Sequence, residues 1–485
     1  MKIAIIGSGP SAAAALTEAM RFSDLDIYLV DSGLAINEGI PLSAIEQKLV
    51  IKKSLGSEHP YRRHPSSLNL IQLDTAIPRS FAAGGLSLVW GATMLPYIES
   101  DCHHWALRYS DLEDQYREIA KYVPLAGAIV KSQSEYNDYS IVSELKPTQR
   151  FSRMLDAAMD SRLGVVPARV AIRTNNSDYS GCILCGECLA GCRLGHIWES
   201  AKYISSLPKE KYVRVKSYVD YLTLEVSGIT LHVVDEFGQK NRLVGFDKIF
   251  LGAGVLETFR ILAESKLVSA SAILADSAIS YSLFFSPFSR DFQRNESYAL
   301  TQLAMRLEHK LKGRPAHLQL YEIGEEVVDE MLQIMPFLRA LPGGALRKIL
   351  RKFVIGIVYL PSELSPSIDL KIVSKVGLIS SLNTSSVTYS RQKSNTRKIL
   401  NFNFKKLLNL GIFRIPFAMV TKPAGSGVHT GSSFAIGLQT NSLGQFDQNV
   451  CVHIVDASVL PDIPAGPITY SVMANAARII REVFS

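Results

Sequence analysis

The sequence predicts an α/β fold: a Rossmann-like first domain, and a second α+β lobe built on an antiparallel sheet. Three stretches predict it. Lys2 to Asp31 reads as a short strand, a tight glycine turn, an Ala-rich helix and a second strand. Val213 to Val244 alternates polar and apolar residues in three runs broken at Ser227-Gly228 and Glu236-Phe237-Gly238, the pattern of a β-meander. It leads directly into an apolar strand that ends in Gly252-Ala253-Gly254. From 276 to about 420 the pattern turns β-rich, as at His317 to Ile323 and Ser367 to Val373.

The N-terminal stretch carries a dinucleotide fingerprint, Gly7-Ser8-Gly9-Pro10-Ser11-Ala12, between strand 2–6 and the helix Ala12 to Arg21. Gly7 permits the sharp turn and Gly9 lets the backbone approach a pyrophosphate. Ala12 stands where a small residue allows close helix–strand packing. Pro10 and Ser11 stand at the helix start, whose exposed backbone N–H groups favour negative charge. Asp31 closes the strand Leu25 to Val30, about twenty residues on, where a carboxylate can accept hydrogen bonds from a ribose. The competing reading is a secretory leader, with Lys2 before an apolar run. Gly-Ser-Gly-Pro interrupts that run, and a strand follows at once.

With 485 residues and 47% hydrophobic content, the chain is long enough for two or three domains and a large core. The expected division is 1–135, 201–275 and 421–485 for the nucleotide domain, 136–200 for a Cys-rich cap segment, and 276–420 for the substrate lobe. The longest apolar run, Phe353 to Leu360, is too short to span a bilayer. A net charge of +7 without a basic tail does not indicate nucleic-acid binding. Four of the six cysteines crowd into Cys182 to Cys192, which favours a ligand cluster and a reducing, cytoplasmic setting.

Residues 32–80 read as irregular. Gly84-Gly85-Leu86-Ser87 sits among small residues and suits a backbone lying against something flat, because no Cβ intervenes. Ser110 and Glu113 are placed as a capping box for a helix through Tyr116 and Ile119. Leu256 to Ser265 is a helix behind Gly254. Ala345 to Ile355 reads as a basic amphipathic helix, with Leu346, Ile349, Leu350 and Phe353 opposite Arg347, Lys348, Arg351 and Lys352. Such a helix can lie on an anionic membrane surface, or it can pack on its own protein. Near the C-terminus, strand Val452 to Val455 precedes Asp456-Ala457-Ser458-Val459, and a Pro-Ala-Gly-Pro turn precedes a helix from Ile468 to Val483. The positive end of that helix suits a site where negative charge accumulates.

The order of βαβ unit, meander and Gly-Ala-Gly strand resembles the skeleton of the glutathione-reductase type of FAD fold. Together with segments 83–92, 105–116 and 429–478, the chain resembles the glucose–methanol–choline family of FAD-dependent oxidoreductases, over about a third of its length. The strongest element is Asp456-Ala457-Ser458-Val459 with Pro461, Pro464, Thr469, Met473, Ala474 and Arg478. The resemblance implies FAD, held also by Gly84, Gly85, Ser87, Gly254, Asp456, Ala457, Gly466, Pro467 and Ile468. It implies oxidation of a CH–OH group by hydride transfer to flavin N5. His429, in Gly427-Val428-His429-Thr430-Gly431, matches the family's catalytic histidine, which takes the hydroxyl proton. The family's second active-site residue, a His or Asn, falls on Pro467, which offers neither donor nor base. Tyr470, Ser471 and His196 are the candidates to replace it.

Cys182, Cys185, Cys188 and Cys192 have the spacing of bacterial ferredoxin ligands, although Arg193 stands where proline is usual. A [4Fe–4S] cluster, a zinc ion and a purely structural loop all remain open at this point. The expectation is an FAD-dependent enzyme acting on a small-molecule, sugar or lipid-linked alcohol, with an unknown electron acceptor. Two alternatives are an NAD(P)-dependent Rossmann dehydrogenase and a flavin-binding scaffold with a decayed site.

Overall fold

The computed structural model describes residues 1–33, 65, 68–128, 143–161, 163–174, 181–186, 188, 192, 194–287, 298–323, 332, 336–374, 376–383, 385–447 and 451–485. The expectations for 34–64, for parts of 136–200 and for Arg193 fall outside them.

Two sheets position the site. The first runs in the order Lys240–Phe246, Gly228–Asp235, Val213–Glu225, Asp26–Asp31, Lys2–Ile6, Lys248–Leu251, Val452–Ile454. Its five-strand half is parallel from Val213–Glu225 to Val452–Ile454, and the meander extends its edge antiparallel. The Lys2–Ile6 strand shows why this half is apolar throughout. Ile3 and Ile5 enter one core cluster and Ala4 and Ile6 the other, so both faces are covered. Helix Pro10–Ala19 packs on the first face with the C-terminal helix Thr469–Phe484, where Ala12, Ala13, Leu16, Met473, Ala476 and Ile480 are all buried.

The second sheet is antiparallel, in the order Phe413–Thr421, Ile279–Phe285, Phe353–Tyr359, Ala316–Glu322, Leu303–Leu307, Val165–Pro167. One face buries Leu318, Leu320, Val354 and Val358 in a lobe core. By the period of two, His317, Gln319, Tyr321, Ile355, Ile357 and Tyr359 occupy the opposite face. A smaller sheet pairs Thr430–Gly431 with Ser271–Asp276.

Several sequence expectations need correction. The helix expected from Ser110 runs from Tyr109 to Ile119, with Arg108 as N-cap, and its backbone N–H donates to Asp111 rather than to Glu113. Asp111 stands three residues after Arg108 and Glu113 five, so Asp111 holds the capping position. The amphipathic helix spans Gly343–Leu350, and Phe353 opens a strand paired with Phe285. Its apolar residues Leu346, Ile349 and Leu350 join Leu283, Leu338 and Ala418 in a core cluster, so that face is covered by the protein itself. The interval 32–80 is not wholly irregular, because Leu70–Leu73 pairs with Gly377–Leu382. Among the described residues no helix is long and apolar enough to cross a membrane.

Candidate active site

A single cavity of about 710 Å³ runs from the N-terminal glycine turn to the face of the antiparallel sheet. At one end it is lined by Gly7, Gly9, Pro10, Ser11 and Asp31, at its middle by Gly85, Ser87, Gly254, Asp456 and Ala457, and at the other end by His429, Pro467 and Ile468. Residues from seven separate stretches of the chain therefore meet along one surface.

The turn is shaped as a cradle. Gly7 has φ +105°, and a Cβ there would lie 2.4 Å from the Gly252 carbonyl oxygen. Gly9 has no atom within 4 Å of its would-be Cβ, so that direction is open. Its carbonyl accepts from Ala13 N–H at 2.9 Å, and Pro10 starts the helix without costing a hydrogen bond. Ala12 does not line the cavity; it packs against Gly252, whose added Cβ would meet the Ala12 Cβ at 3.2 Å. Asp31 is buried and paired with Arg214 at 3.2 Å, which anchors its carboxylate at the cavity edge.

The Gly-Gly segment divides its duties. Gly84 packs away from the cavity, its added Cβ falling 2.9 Å from Ala201 N. The expectation that both glycines face the same site is corrected: Gly85 lines the cavity and Gly84 does not. The Gly84 N–H donates to Ser8 Oγ at 2.9 Å, and Ser87 Oγ donates to the Gly84 carbonyl at 2.6 Å. The Ser200 N–H donates to Ser87 Oγ at 3.0 Å, so Ser87 fixes the loop against the helix Ser200–Ser206. Asp456 likewise holds backbone: it accepts from Gly254 N–H and Ser458 N–H, each at 2.9 Å, and from the Thr258 hydroxyl. It locks two cavity loops together.

His429 is carried by a loop threaded between strands. Added Cβ atoms at Gly427 and Gly431 would lie 2.7 Å from the Ser277 oxygen and 2.3 Å from the Ala457 oxygen, so only glycine fits. Val428 takes φ +61°, a strained conformation for a β-branched residue. Ser277 N–H donates to the His429 carbonyl at 2.9 Å, and Gly425 N–H donates to Asp276 at 2.9 Å. The His429 ring stacks on Tyr359 at 4.9 Å, and its Nδ1 is buried with no protein partner. The residue is open only toward the cavity. Burial pushes its pKa down to about 4, so the imidazole is neutral at pH 7.

Pro467 and Ile468 line the cavity at the start of the C-terminal helix, whereas Gly466 turns against His317. None of the three candidates for the second polar group stands in the cavity. Tyr470 is fully buried and donates to the Tyr116 carbonyl at 2.6 Å, and Ser471 bonds the Tyr116 hydroxyl at 2.6 Å. His196 lies at the cysteine loop. The residues that sequence reasoning missed are Gln319, Tyr321 and Tyr359, all lining the cavity. Their signal was the polar member of each alternation in 316–322 and 353–359.

Cys182, Cys185, Cys188 and Cys192 line one separate cavity of about 20 Å³ with Ile172, Ile183, Leu194, His196 and Ile197. Backbone N–H groups of Leu184, Ala299 and His196 donate to the sulfurs of Cys182, Cys188 and Cys192 at 3.4, 3.4 and 3.2 Å. Burial pushes the Cys188 thiol up to about 12. Among the described residues no group of three or more His, Cys, Asp or Glu side chains is arranged to hold a metal ion.

Neither a family model nor a curated protein matches the sequence. The fold does match solved structures. Pyridoxine 4-oxidase from Mesorbium loti aligns over 100% of this chain and 99% of its own, with TM-score 0.64 and 13% identity. Formate oxidase from Aspergillus oryzae RIB40, solved in forms bearing on its FAD modification, aligns over 99% and 97%, with TM-score 0.65 and 13% identity. Over its whole length, this chain has the fold of these two oxidases, an FAD-binding-type α/β domain joined to a lobe on an antiparallel sheet.

Proposed function

We infer that the protein is an FAD-dependent oxidoreductase acting on a CH–OH group. The carrying observation is the continuity of one cavity from the glycine cradle to an unpartnered, neutral His429. The cradle fits FAD: the open direction at Gly9, the helix N-terminus behind it and the anchored carboxylate of Asp31 match pyrophosphate and ribose. FAD, when bound, accepts the hydride of the alcohol carbon.

The chain supplies the rest. His429 takes the hydroxyl proton on a ring nitrogen, which its neutral state allows at pH 7. Tyr359 holds the imidazole plane by stacking on it. The start of the helix Thr469–Phe484, with Pro467 and Ile468, turns its positive end toward the cavity, where it favours accumulating negative charge. Ile279, Leu283, Ile355, Ile357 and Val420 form the substrate wall. Ser282, Gln319, Tyr321, Glu322 and Lys422 line the same cavity, so polar side chains stand beside this apolar wall. The scaffold reading has no use for a base held by strained backbone at a cavity wall. An NAD(P)-dependent dehydrogenase has none for the meander that completes this sheet.

Anaerobic mixing of the flavin-loaded protein with benzyl alcohol, pyridoxine and 1-octanol tests the reading. Bleaching of the flavin band by at least one alcohol is expected, and a band unchanged by all three would remove it. The pH profile adds a sharper check. Only neutral His429 accepts a proton, so kcat/KM for the reactive alcohol should stay level from pH 7 down and fall near pH 4. An acid limb near the ordinary imidazole value of about 6.5 would contradict the buried environment. The same depression makes stability pH-dependent. The contribution of neutral His429 is complete above about pH 6.5 and is lost as pH falls toward 4, because the unfolded imidazole protonates first.

The cysteine loop supports a second cofactor reading, a [4Fe–4S] cluster. Its support is the ferredoxin-like spacing and the three N–H···S bonds, which suit thiolates. The cavity of about 20 Å³ is smaller than such a cluster, so the sulfurs have to move apart to hold one. Iron and sulfide in nearly equal amounts are expected after anaerobic purification, and both should be lost in Cys185→Ser. Protein with full flavin and neither iron nor sulfide would leave the loop structural.

A further inference from the structure

A proton acceptor alone does not fix an alcohol. As the O–H proton passes to His429, negative charge builds on the substrate oxygen, and a donor on its other side is needed to hold that oxygen. Pro467 has no such group. We propose that the Gln319 side-chain amide is the donor that holds the substrate hydroxyl oxygen opposite His429. This inference rests on the function proposed above.

The Ala316–Glu322 strand delivers the amide. It presents three polar residues, His317, Gln319 and Tyr321, on one face, while Leu318 and Leu320 fill the lobe core on the other. Its neighbour Phe353–Tyr359 is in register, with His317 opposite Tyr359 and Gln319 opposite Ile357. Gln319 is thus the diagonal neighbour of Tyr359, whose ring stacks on His429, and Gln319 and His429 line the same cavity.

A chain of hydroxyls runs to the amide oxygen. Tyr321 OH donates to Gln319 Oε1 at 2.6 Å. Having spent its one proton there, Tyr321 can only accept from Thr301 Oγ1, at 2.8 Å. Thr301 in turn accepts from Thr93 Oγ1, also at 2.8 Å. Thr93 belongs to the loop that follows the Gly-Gly segment, so the chain crosses from one lobe to the other and ends on Oε1. Thr301 lies a further 3.1 Å from that same oxygen. With Oε1 committed, Nε2 faces the other way. One of its N–H groups lies toward His317 Nε2 at 3.4 Å. His317 is 2% exposed, and burial keeps it neutral, with its pKa pushed down to about 3; in the tautomer protonated at Nδ1, its Nε2 accepts. The second N–H is left for the cavity that Gln319 lines.

His317 is a positioning residue here, and Gly466 makes room for it. A Cβ on Gly466 would sit 3.5 Å from the His317 ring, so a longer side chain at that turn would press on the imidazole. The turn before the C-terminal helix thus has no polar side chain of its own, and the sheet supplies one.

The test uses the flavin-loaded full chain and benzyl alcohol. Calorimetry in the His429→Ala background, where turnover is suppressed, should show Gln319→Leu weakening benzyl alcohol binding about tenfold. That is the upper range for one neutral hydrogen bond. Toluene, which has no hydroxyl, should bind both proteins alike. Gln319→Glu keeps the oxygen that Tyr321 bonds but adds a negative charge beside the base. In a His429-containing enzyme it should therefore move the acid limb of kcat/KM upward in pH, which a remote structural residue would not do. Thermal melting confirms that each variant is folded, and the Glu variant keeps the proposal testable should the Leu variant fail to fold. Unchanged benzyl alcohol affinity in Gln319→Leu, with the loss found in Tyr359→Phe instead, would overturn the proposal. If benzyl alcohol is oxidised and His429→Ala abolishes this while both Gln319 variants behave as the parent, only the Gln319 assignment falls. If His429→Ala is as fast as the parent, the base lies elsewhere and the Gln319 proposal falls with it, whereas a flavin band that no alcohol bleaches removes the proposed function itself.

Discussion

Replacing His429 by alanine is expected to leave flavin bound and the fold intact while slowing reduction of the flavin by alcohol roughly 10²- to 10⁴-fold. That range is the usual contribution of a positioned acid–base group. The imidazole is open to the cavity on one side, so truncation removes little buried packing. The loop that carries it is held by backbone, through Ser277 N–H on its own carbonyl and Asp276 beneath Gly425. Single-turnover mixing separates the chemical step from later oxidation. Proton and hydride leave the same carbinol, so the reductive rate itself should fall. His429→Ala protein whose flavin is reduced at the parental rate would place the base elsewhere.

The second large effect concerns Gly9. Gly9→Val is expected to purify folded and colourless, with flavin retention lost. The would-be Cβ at Gly9 meets no protein atom within 4 Å, so any penalty must come from what occupies the cradle. Gly7 gives the contrast. With φ +105° and the Gly252 oxygen 2.4 Å from its would-be Cβ, Gly7→Ala should lower stability whether or not a nucleotide is present. The pair separates a ligand contact from a folding requirement. Visible absorbance and thermal melting on both variants check it. Gly9→Val protein as yellow as the parent would move the pyrophosphate away from this turn.

Local pattern carried much of the first domain. The strand–turn–helix of Lys2–Ile6 and Pro10–Ala19 is contiguous, and its glycines are required by backbone geometry within a few residues. The meander was legible for the same reason, since its breaks at Ser227-Gly228 and Glu236-Phe237-Gly238 are turns between adjacent strands. Residue chemistry was legible too: four cysteines in eleven positions converge on one small cavity whatever they hold. Boundaries were less so. At Ala345–Ile355 the helical spacing of Leu346, Ile349 and Leu350 continued by accident into Phe353, which sheet pairing claims for a strand.

By itself, then, the sequence determined the nucleotide-type βαβ unit, the sheet that grows from it and the loop holding His429, because each is encoded by neighbours in the chain. The tertiary structure alone decided which polar groups share a cavity with that histidine. Gln319, Thr301 and Thr93 come from segments with no shared local motif, and their hydrogen bonds exist only after the antiparallel sheet docks on the first domain. Tyr470 and Ser471 looked equally eligible in sequence, but the C-terminal helix rotates them onto Tyr116 and away from the cavity. A helix turns its residues by about 100° each, so adjacency to Pro467 in sequence carries no promise of a shared face.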